Sequence, residues 1–339
     1  MKQRKQHITI HDIARELGIS GSTVSRALNN NPRISKSTRD AVQKLAKTHN
    51  YLPNALASSL RKGKGNTVGV VVPNINRSFF SNVIGGIEEI LSTAGYNLMI
   101  CQTNEKLDKE KAVLKTLLNA RVDGILMSLS METNDYGHIE DLLDRGVKMV
   151  FFDRIPEKLP VHSVVIDDYN VALKVTRHII NQGYNMPAHV GGSSEINVYA
   201  NRQKGFIQAI KNSGKRLDER YIIETDMTRA GGAAAFEQLM KLRPKPDAVV
   251  CSGDLSAHGV LISAMENGLA VPGDLAISGF ANEEFTAHIR PSLTSVNQKG
   301  NEIGQQAAIL FLNGEQKAEK RQIMVEPEII FRESSKRIS

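Results

Sequence analysis

One stretch decides the fold of the N-terminal region: Ile8-Thr9-Ile10-His11-Asp12-Ile13-Ala14-Arg15-Glu16-Leu17-Gly18-Ile19-Ser20, continued after Gly21 by Ser22-Thr23-Val24-Ser25-Arg26-Ala27-Leu28-Asn29. Thr9, followed three residues later by Asp12, is typical of a helix N-cap with an acidic residue in the first turn. The apolar stripe of this helix is Ile10, Ile13, Ala14 and Leu17, at spacings of three and four. Gly18 is expected to end it, because glycine adopts the left-handed turn at little cost.

A second helix is predicted after the N-cap residue Ser20, with Val24, Ala27 and Leu28 turned inward. Its outward residues are then Gly21, Ser22, Ser25, Arg26 and Asn29. Two short helices around a glycine turn, with a small polar outer face, are typical of a helix-turn-helix whose second helix enters the major groove. Arg26 is the residue type that pairs with guanine. Ser35 is expected to cap a third helix, with Ala41, Val42, Leu45 and Ala46 inward.

The net charge of +7 is distributed unevenly along the 339 residues. Residues 1–65 contain 13 Lys and Arg but three Asp and Glu, whereas the rest contains 30 basic and 33 acidic residues. A basic module attached to a nearly neutral body is typical of nucleic-acid-binding proteins. A basic tail that binds membranes or acidic proteins has the same charge signature, so charge alone does not decide.

Pro53 and Asn54 interrupt the chain before a short segment of small residues, Ala55–Lys62. Two helical turns are too short to be stable alone in water. We therefore expect this segment to fold only when it pairs with its twin on DNA, where a leucine can wedge between base steps of the minor groove. Gly63-Lys64-Gly65 is expected to be a flexible linker.

From Asn66 onward, short Val- and Ile-rich runs alternate with helical patterns. A first series of buried parallel strands is predicted at Thr67–Val72, Leu98–Gln102, Gly124–Met127 and Lys148–Phe152, and a second at Ser163–Ile166, Ala188–Val190, Ala248–Ser252 and Ala276–Gly279. Two such series predict two doubly wound α/β lobes, with ligands beyond the carboxyl ends of the strands. Polar clusters follow several strands there, at 73–76, 152–154, 192–194 and 252–254. A cleft between two lobes is typical of a binder that closes on its ligand.

The run Ile8–Asn29 resembles the DNA-binding signature of the lactose-repressor (LacI/GalR) family, and Tyr51–Ala57 resembles its hinge helix. The resemblance extends through Val68–Pro73, Arg121–Gly124, Gly268–Asp274 and Pro291–Val296, so it covers nearly the whole chain. It implies a lambda-repressor-like helix-turn-helix followed by a periplasmic-binding-protein-like effector domain. Our expected boundaries are 1–53 for the DNA-binding domain, 54–65 for the hinge helix and linker, 66–166 with about 298–329 for the N-lobe, and 167–297 with about 330–339 for the C-lobe.

The resemblance also implies functional positions. The DNA-binding candidates are Thr9, Ser20, Gly21, Ser22, Thr23, Ser25, Arg26, Asn29, Asn54, Ala57 and Leu60. Gly21, Ser22 and Arg26 match base-reading positions, and Leu60 matches the minor-groove lever. The effector-binding candidates are Asn74, Phe79, Phe80, Arg154, Arg202, Asp254 and Asn282. Phe79 and Phe80 match aromatic effector contacts, and Arg202 matches the arginine that clamps ligand oxygens. A structural role in the core or at a helix cap competes with each effector assignment.

The function expected from these matches is transcription regulation, most simply repression. A homodimer would bind a pseudo-palindromic double-stranded operator, and a small molecule between the lobes, a sugar or a derivative, would switch its affinity. Some positions depart from the family pattern. Gly279-Phe280-Ala281 lacks the Asp common after Gly-Phe, for which Asn282 substitutes in part, and Ile196 and Val198 are apolar where some members are polar. We therefore expect a ligand different from those of familiar members.

Other classes fit less well. Gly191-Gly192-Ser193-Ser194 follows a strand but lacks the Gly-Lys-Ser/Thr end of a P-loop, and no metal-spaced His pair occurs, so an enzyme, a cofactor and a metal are not expected. A sugar-binding transport protein is the strongest alternative, disfavoured by the DNA-binding module and the lack of a signal sequence. No apolar run approaches ~20 residues, so we expect no membrane partner. Cys101 and Cys251 are expected to be buried thiols in a cytoplasmic protein.

Overall fold

The structure is a computed structural model that describes residues 8–49, 51, 65–314 and 321–337. It divides into two compact units, residues 1–65 and 66–339. The first contains helices α1 (Ile10–Glu16), α2 (Gly21–Leu28) and α3 (Lys36–Thr48). Their predicted N-caps are confirmed, because the hydroxyls of Thr9, Ser20 and Ser35 each accept a hydrogen bond from the backbone N–H three residues on. Gly18 adopts the predicted left-handed turn at φ +62°.

The core of this unit contains Ile13, Ala14, Val24, Ala27, Val42 and Ala46. Two predicted orientations are wrong. Ser25 is buried and not outward, because α2 packs against both α1 and α3 and its buried arc is therefore wider than one apolar stripe. Ala41 is exposed, and Val42 takes the inward position. The proposed hinge positions Asn54, Ala57 and Leu60 lie outside the described residues.

The second unit is an alternation of strands and helices. Its helices are α4 (Ser78–Thr93), α5 (Leu107–Ala120), α6 (Gly137–Asp144), α7 (Asp168–Asn181), α8 (Asn197–Asn212), α9 (Arg229–Met240), α10 (Asp254–Glu266), α11 (Phe285–His288) and α12 (Gly300–Asn313). Its strands are β1 (Thr67–Val72), β2 (Asn97–Gln102), β3 (Gly124–Met127), β4 (Met149–Phe152), β5 (His162–Ile166), β6 (Pro187–Gly191), β7 (Ile222–Glu224), β8 (Ala248–Cys251), β9 (Ala276–Ser278), β10 (Ser295–Asn297), β11 (Gln322–Val325) and β12 (Glu328–Ile330).

The first lobe is built on a six-stranded parallel sheet in the order β11-β5-β4-β3-β1-β2. Successive residues of β1 point to opposite faces. Val68, Val70 and Val72 pack with residues of α4 and α12, whereas Val71 packs with Leu114 and Leu117 of α5. Helices therefore cover both faces, which is why β1 contains consecutive valines instead of an alternating pattern.

The second lobe is built on a four-stranded parallel sheet in the order β7-β6-β8-β9. Helices α7 and α8 pack together, as do α9 and α10. The two doubly wound lobes confirm the predicted fold class. The strand pattern grouped β5 with the second series, but β5 joins the first sheet, where it pairs with β4 and β11; the expected N-lobe of 66–166 includes it. Strands β7, β10, β11 and β12 were not among the predicted strands.

The chain passes between the two lobes three times. It crosses after β5, again between β10 and α12, and finally between β11 and β12. The last two crossings lie side by side, because β10 and β12 form a two-stranded antiparallel ribbon with Ser295 opposite Ile330. The lobes are thus joined by three segments, two of them paired, and not by one linker.

Helices α4 and α12 pack at backbone contact distance. A Cβ on Gly86 would overlap the carbonyl oxygen of Asn301, and one on Gly304 would overlap that of Val83. The adjacent Gly85 differs, because a Cβ there would meet no described atom within 4 Å. The close approach of the two helices therefore depends on Gly86 and Gly304.

Strand β2 lies at one edge of the first sheet and is less buried than predicted. Met99 and Ile100 are 36% and 48% exposed, and Cys101 is half-buried, whereas Cys251 is buried as expected. The prediction of two buried thiols is therefore wrong for Cys101, because helices cover an edge strand incompletely. Among the described helices, none is long and apolar enough to cross a bilayer.

Candidate functional site

The second helix of the N-terminal unit presents a short polar face. Arg26, Ser22 and Asn29 are exposed, whereas Gly21 and Thr23 are half-buried. The Asn29 side chain donates to the Ser25 carbonyl oxygen at 2.8 Å. Arg26 is thus the one long cationic side chain among the α2 residues, and the buried Ser25 cannot contact DNA without a rearrangement.

Two of the predicted DNA-binding hydroxyls have local roles at helix caps. Thr9 Oγ1 donates to Asp12 Oδ2 at 2.6 Å, and Asp12 in turn accepts from the Thr9 backbone N–H. This capping box holds the pKa of the Asp12 carboxyl below its usual range. Ser20 Oγ accepts from the Thr23 N–H at 3.1 Å and bonds the hydroxyls of Ser22 and Thr23.

A cavity of about 160 Å³ lies between the two lobes of the larger unit. This is far more than the ~15 Å³ that holds a single water molecule. Six of the seven predicted effector residues line it: Asn74, Phe79, Phe80, Arg154, Arg202 and Asp254. They follow strand ends β1, β4 and β8 or lie on α4 and α8, as expected for parallel sheets.

The exception is Asn282. Its neighbours Ala281 and Glu283 line the cavity, whereas the Asn282 side-chain oxygen accepts a hydrogen bond from Arg332 Nη2 at 2.7 Å. The expectation that Asn282 replaces a missing carboxylate in the cleft is therefore wrong for this structure. Arg332 also donates to the Leu293 carbonyl oxygen and the Thr286 hydroxyl, so it holds Asn282 within the second lobe.

Arg154 joins the lobes from the floor of the cleft. Its Nη1 donates to Glu105 Oε2 at 2.6 Å and its Nη2 to Tyr199 Oη, across the cleft, at 2.9 Å. Burial raises the pKa of Tyr199, so the phenol stays neutral and can accept this bond. Arg154 Nε is buried and has no hydrogen-bond partner among the described residues, and Asp153 Oδ2 lies 3.9 Å from it.

Arg202 is held by groups of its own lobe. Its Nε donates to Asp168 Oδ1 at 2.7 Å and its Nη1 to the Ser252 carbonyl oxygen at 2.8 Å. The guanidinium carbon also lies 3.6 Å from the centre of the Phe280 ring. Burial raises the pKa of Asp168 to about 6, against the opposing effect of Arg202. At neutral pH the pair is therefore ionised, and a ligand meets a guanidinium that is already fixed in position.

Asp254 opens helix α10, and Gly253 is the N-cap, so the capping role considered for Asp254 is not the one it has. Its Oδ1 accepts from Ser295 Oγ at 2.7 Å and its Oδ2 from the Glu283 N–H at 2.8 Å. Burial raises its pKa to about 6. These bonds tie α10 to the loop after β9 and to the interlobe ribbon.

Two further contacts bridge the lobes beside the cavity. Ser78, at the start of α4, donates from its N–H and its hydroxyl to Glu283 Oε2 at 3.2 and 2.6 Å. Asn197, at the start of α8, accepts from the Ile155 N–H and donates to the Asp153 carbonyl oxygen. Together with Arg154 and Tyr199, they hold the lobes in direct contact.

Several lining residues were not predicted. They are Arg77, Glu105, Met131, Tyr199, Asp226, Met227, Thr228, Leu255, Phe280, Glu283 and Gln298. Glu105 lies just after β2 and has a positive φ of 62°. A polar residue after a strand was the criterion for the polar clusters elsewhere, so the same criterion could have identified Glu105. Tyr199 gave no such signal, because a lone aromatic within a helix is usually a core residue.

Comparison with known proteins agrees with both units. Residues 9–54 match the model of the bacterial regulatory proteins of the lacI family, and residues 65–332 match that of periplasmic binding proteins and the sugar binding domain of the LacI family. Catabolite control protein A of Priestia megaterium is 35% identical over 97% of this chain and 100% of its own. The repressor CytR of Escherichia coli is 33% identical, with 92% of both chains covered. The transcriptional regulator CelR in complex with cellobiose superposes with a TM-score of 0.73 at 27% identity, over 96% of this chain and 99% of that one.

The chain belongs to the LacI family of bacterial regulatory proteins. It is a DNA-binding transcription regulator, with a helix-turn-helix head and a periplasmic-binding-protein-like body. The fold and family expected from the sequence are thereby confirmed.

Proposed function

We propose that this regulator is a repressor whose affinity for a pseudo-palindromic operator is set by a small molecule bound in the interlobe cavity. The observation that carries the proposal is the set of direct bonds between the lobes at and beside that cavity: Arg154 to Tyr199, Ser78 to Glu283 and Asn197 to residues 153–155. Arg154, Tyr199 and Glu283 also line the cavity, so a ligand that enters changes the relative energy of closed and open lobes. That is the coupling an allosteric regulator requires.

The proposed ligand is a carbohydrate or a derivative. The family domain that the body matches is described as sugar-binding, and the related CelR was solved with cellobiose. The lining supports a hydroxylated ligand, because amide, carboxylate and guanidinium groups alternate with the rings of Phe79, Phe80 and Phe280. Rings of this kind pack against the apolar face of a sugar.

On DNA, we propose that α2 lies in the major groove with Arg26 and the exposed Ser22 toward the base edges. Ser20 caps α2 and Thr9 caps the preceding helix α1. Residues 54–60, with Asn54, Ala57 and Leu60, would form the minor-groove contact. The protein would act as a homodimer, supported by the exposed Met99 and Ile100 on the edge strand β2. It would need no enzymatic activity, and its DNA target implies the cytoplasm.

The proposed domain boundaries remain those expected from the sequence: 1–53, 54–65, 66–166 with 298–329, and 167–297 with 330–339. Strand β11 belongs to the first sheet, which supports the assignment of residues 298–329 to the N-lobe. The packing of the short helical turn Glu333–Ser335 against β9 supports the assignment of residues 330–339 to the C-lobe.

The experiment is a titration of the full-length protein into labelled duplexes from the region upstream of its own gene, followed by fluorescence anisotropy at several salt concentrations. We expect one duplex to bind tighter than the others by roughly a thousandfold or more, with affinity falling steeply as salt rises. Added sugars are then screened for a shift of that affinity. Equal binding to every duplex at all salt concentrations would refute sequence-specific regulation.

A further inference from the structure

The cavity has an unusual balance of charge. Its lining contains five carboxylates, Glu105, Asp153, Asp226, Asp254 and Glu283, against three guanidinium groups, Arg77, Arg154 and Arg202. All of these residues lie within the described part of the chain. The lining therefore has an excess of negative charge, although it contains Arg154 and Arg202, the two arginines predicted as effector-binding residues.

Two of the three guanidinium groups are neutralised within the protein. Arg202 is paired with Asp168, which lies behind the lining, at 2.7 Å, and Arg154 is paired with Glu105 at 2.6 Å. Both arginines are more than nine-tenths buried, so water screens these pairs weakly. The paired carboxylates therefore neutralise most of the positive charge that these two arginines would present to a ligand. By formal charge, four lining carboxyl groups then remain against Arg77, two of which, Asp153 and Asp254, have a pKa raised by burial.

The polar groups left for a ligand suit a hydroxyl. Arg154 Nε is a buried donor without a partner among the described residues, and the neighbouring Asp153 carboxylate accepts two long hydrogen bonds, 3.4 Å from Ser128 Oγ and 3.5 Å from Gln298 Nε2. A hydroxyl can accept from the first and donate to the second. An ionised phosphate or carboxylate oxygen accepts hydrogen bonds but cannot donate one, and its negative charge would lie against a carboxylate.

We infer that the cleft selects an uncharged polyhydroxylated ligand and rejects phosphorylated or carboxylated ones. This inference rests on the proposed function, since it assumes that the cavity is the effector site. It adds that a sugar phosphate, a sugar acid or a nucleotide is not the effector, because two of the three lining arginines are already paired and four carboxyl groups outnumber the third, Arg77.

The test measures the sign of the potential in the cleft without knowledge of the ligand. Single cysteines are introduced at Asn74→Cys on the first lobe and Leu255→Cys on the second, both half-buried lining positions. Each full-length variant is reacted with a cationic, a neutral and an anionic methanethiosulfonate at low salt. The rate of the unsubstituted protein, which contains Cys101 and Cys251, is subtracted. Ala112→Cys, exposed on α5, is the surface control.

After normalisation to Ala112→Cys, we expect the cationic reagent to react roughly tenfold or more faster than the anionic one, because charged clefts concentrate counter-ions by such factors. The ratio should shrink at high salt. It should also fall when Asp226→Asn and Glu283→Gln are added to Leu255→Cys. A normalised ratio within about twofold of unity at both sites, or one that favours the anionic reagent, would overturn the inference.

A second measurement uses inorganic phosphate as the probe. Phosphate at millimolar concentration should not protect Leu255→Cys from the neutral reagent, since Arg77 is the single lining cation left outside the two arginine pairs and four lining carboxyl groups outnumber it. Protection that saturates would show an anion site and overturn the inference. Failure here leaves the operator titration unaffected, so this inference and the proposed function can fail separately.

Discussion

Arg202 Nε and Asp168 Oδ1 lie 2.7 Å apart with only 6% and 5% of their side-chain surfaces exposed. This pair joins α7 to α8 directly behind the cavity, and the Ser252 carbonyl oxygen completes it. An arginine expected from the sequence to clamp a ligand is therefore first a structural element of the second lobe.

Asp168→Asn should destabilise the protein by roughly 3–5 kcal/mol, because it leaves a buried guanidinium without a counter-charge. The control is Glu326→Gln, which removes the exposed Lys174–Glu326 pair at 3.7 Å and should cost less than ~1 kcal/mol. Urea denaturation measures both. Arg202→Ala combined with Asp168→Ala should cost less than the sum of the single changes; additive losses would show that the two side chains do not stabilise each other.

Tyr199→Phe should shift the lobes toward an open arrangement, because it removes the acceptor that Arg154 Nη2 reaches across the cleft. Leaving that buried donor unpaired costs ~1–3 kcal/mol in the closed state. Small-angle scattering should then give a larger radius of gyration for the ligand-free variant. Tyr184→Phe, which removes a bond to the Pro272 carbonyl oxygen within the second lobe, should lower stability without changing the radius. Equal radii for both variants would contradict the bridging role.

Gly86→Ala should destabilise the first lobe by ~1–3 kcal/mol or more, because the added methyl group overlaps the Asn301 carbonyl oxygen and forces α4 and α12 apart. Gly85→Ala, one residue earlier, meets open space and should stabilise by ~0.5–1 kcal/mol through helix propensity. Thermal unfolding of the two variants provides a comparison within one helix. A stabilising Gly86→Ala would contradict the close packing.

Stability should fall between pH 6.5 and 4 partly through His189. Burial lowers the pKa of this imidazole to about 4, from the ~6.5 of an exposed one. In that window the unfolded chain binds the proton and the folded chain does not, so the stabilisation present above pH 6.5 is lost as the pH falls. Burial raises the pKa of Asp168 and Asp254 to about 6, which acts in the opposite direction.

The difference between the parent and His189→Gln isolates the histidine, since both proteins contain the aspartates. Denaturant unfolding at pH 6.5 and 4.5 should show an excess loss in the parent of up to ~2 kcal/mol. Identical losses in the two proteins would exclude His189 as a source of acid sensitivity.

Arg26→Ala should weaken operator binding by ~1–3 kcal/mol and relax preference at one base pair of each half-site. Lys47→Ala, an exposed cation on α3, is the control, and any loss there should be similar for all sequences. Selection from a randomised duplex library reads out the preference. An unchanged preference for Arg26→Ala would remove this residue from the base-reading face.

The sequence predicted the helix starts well, because a capping hydroxyl is a local signal that Thr9, Ser20 and Ser35 each provide. It also predicted most strands, since short Val- and Ile-rich runs alternate with helical patterns along the body. Ser25 was misplaced because its burial depends on two helices that pack from different directions. The apolar pattern of one helix does not show whether a second helix will pack against another of its faces.

The cleft was predicted in part for a similar reason. Arg154, Arg202 and Asp254 follow strand ends or match family positions, so the sequence located them. Tyr199, Glu283 and Asp168 were missed as partners because their roles depend on distances between elements far apart in the chain. Asn282 was wrong because Arg332, 50 residues later, binds its side chain. The periodicity of a single sequence does not show which residues far apart in the chain will pair.

The three passages of the chain between the lobes, two of them paired as an antiparallel ribbon, limit how the body can move. These connections, two of them paired as β10 and β12, allow the lobes to rotate about one axis and resist twisting about the others. The three connections also allow the lobes to stay joined after proteolytic cleavage of one of them. A protease that severed any one passage would leave the halves tethered by the other two, so a nicked protein should elute as an intact particle under native conditions.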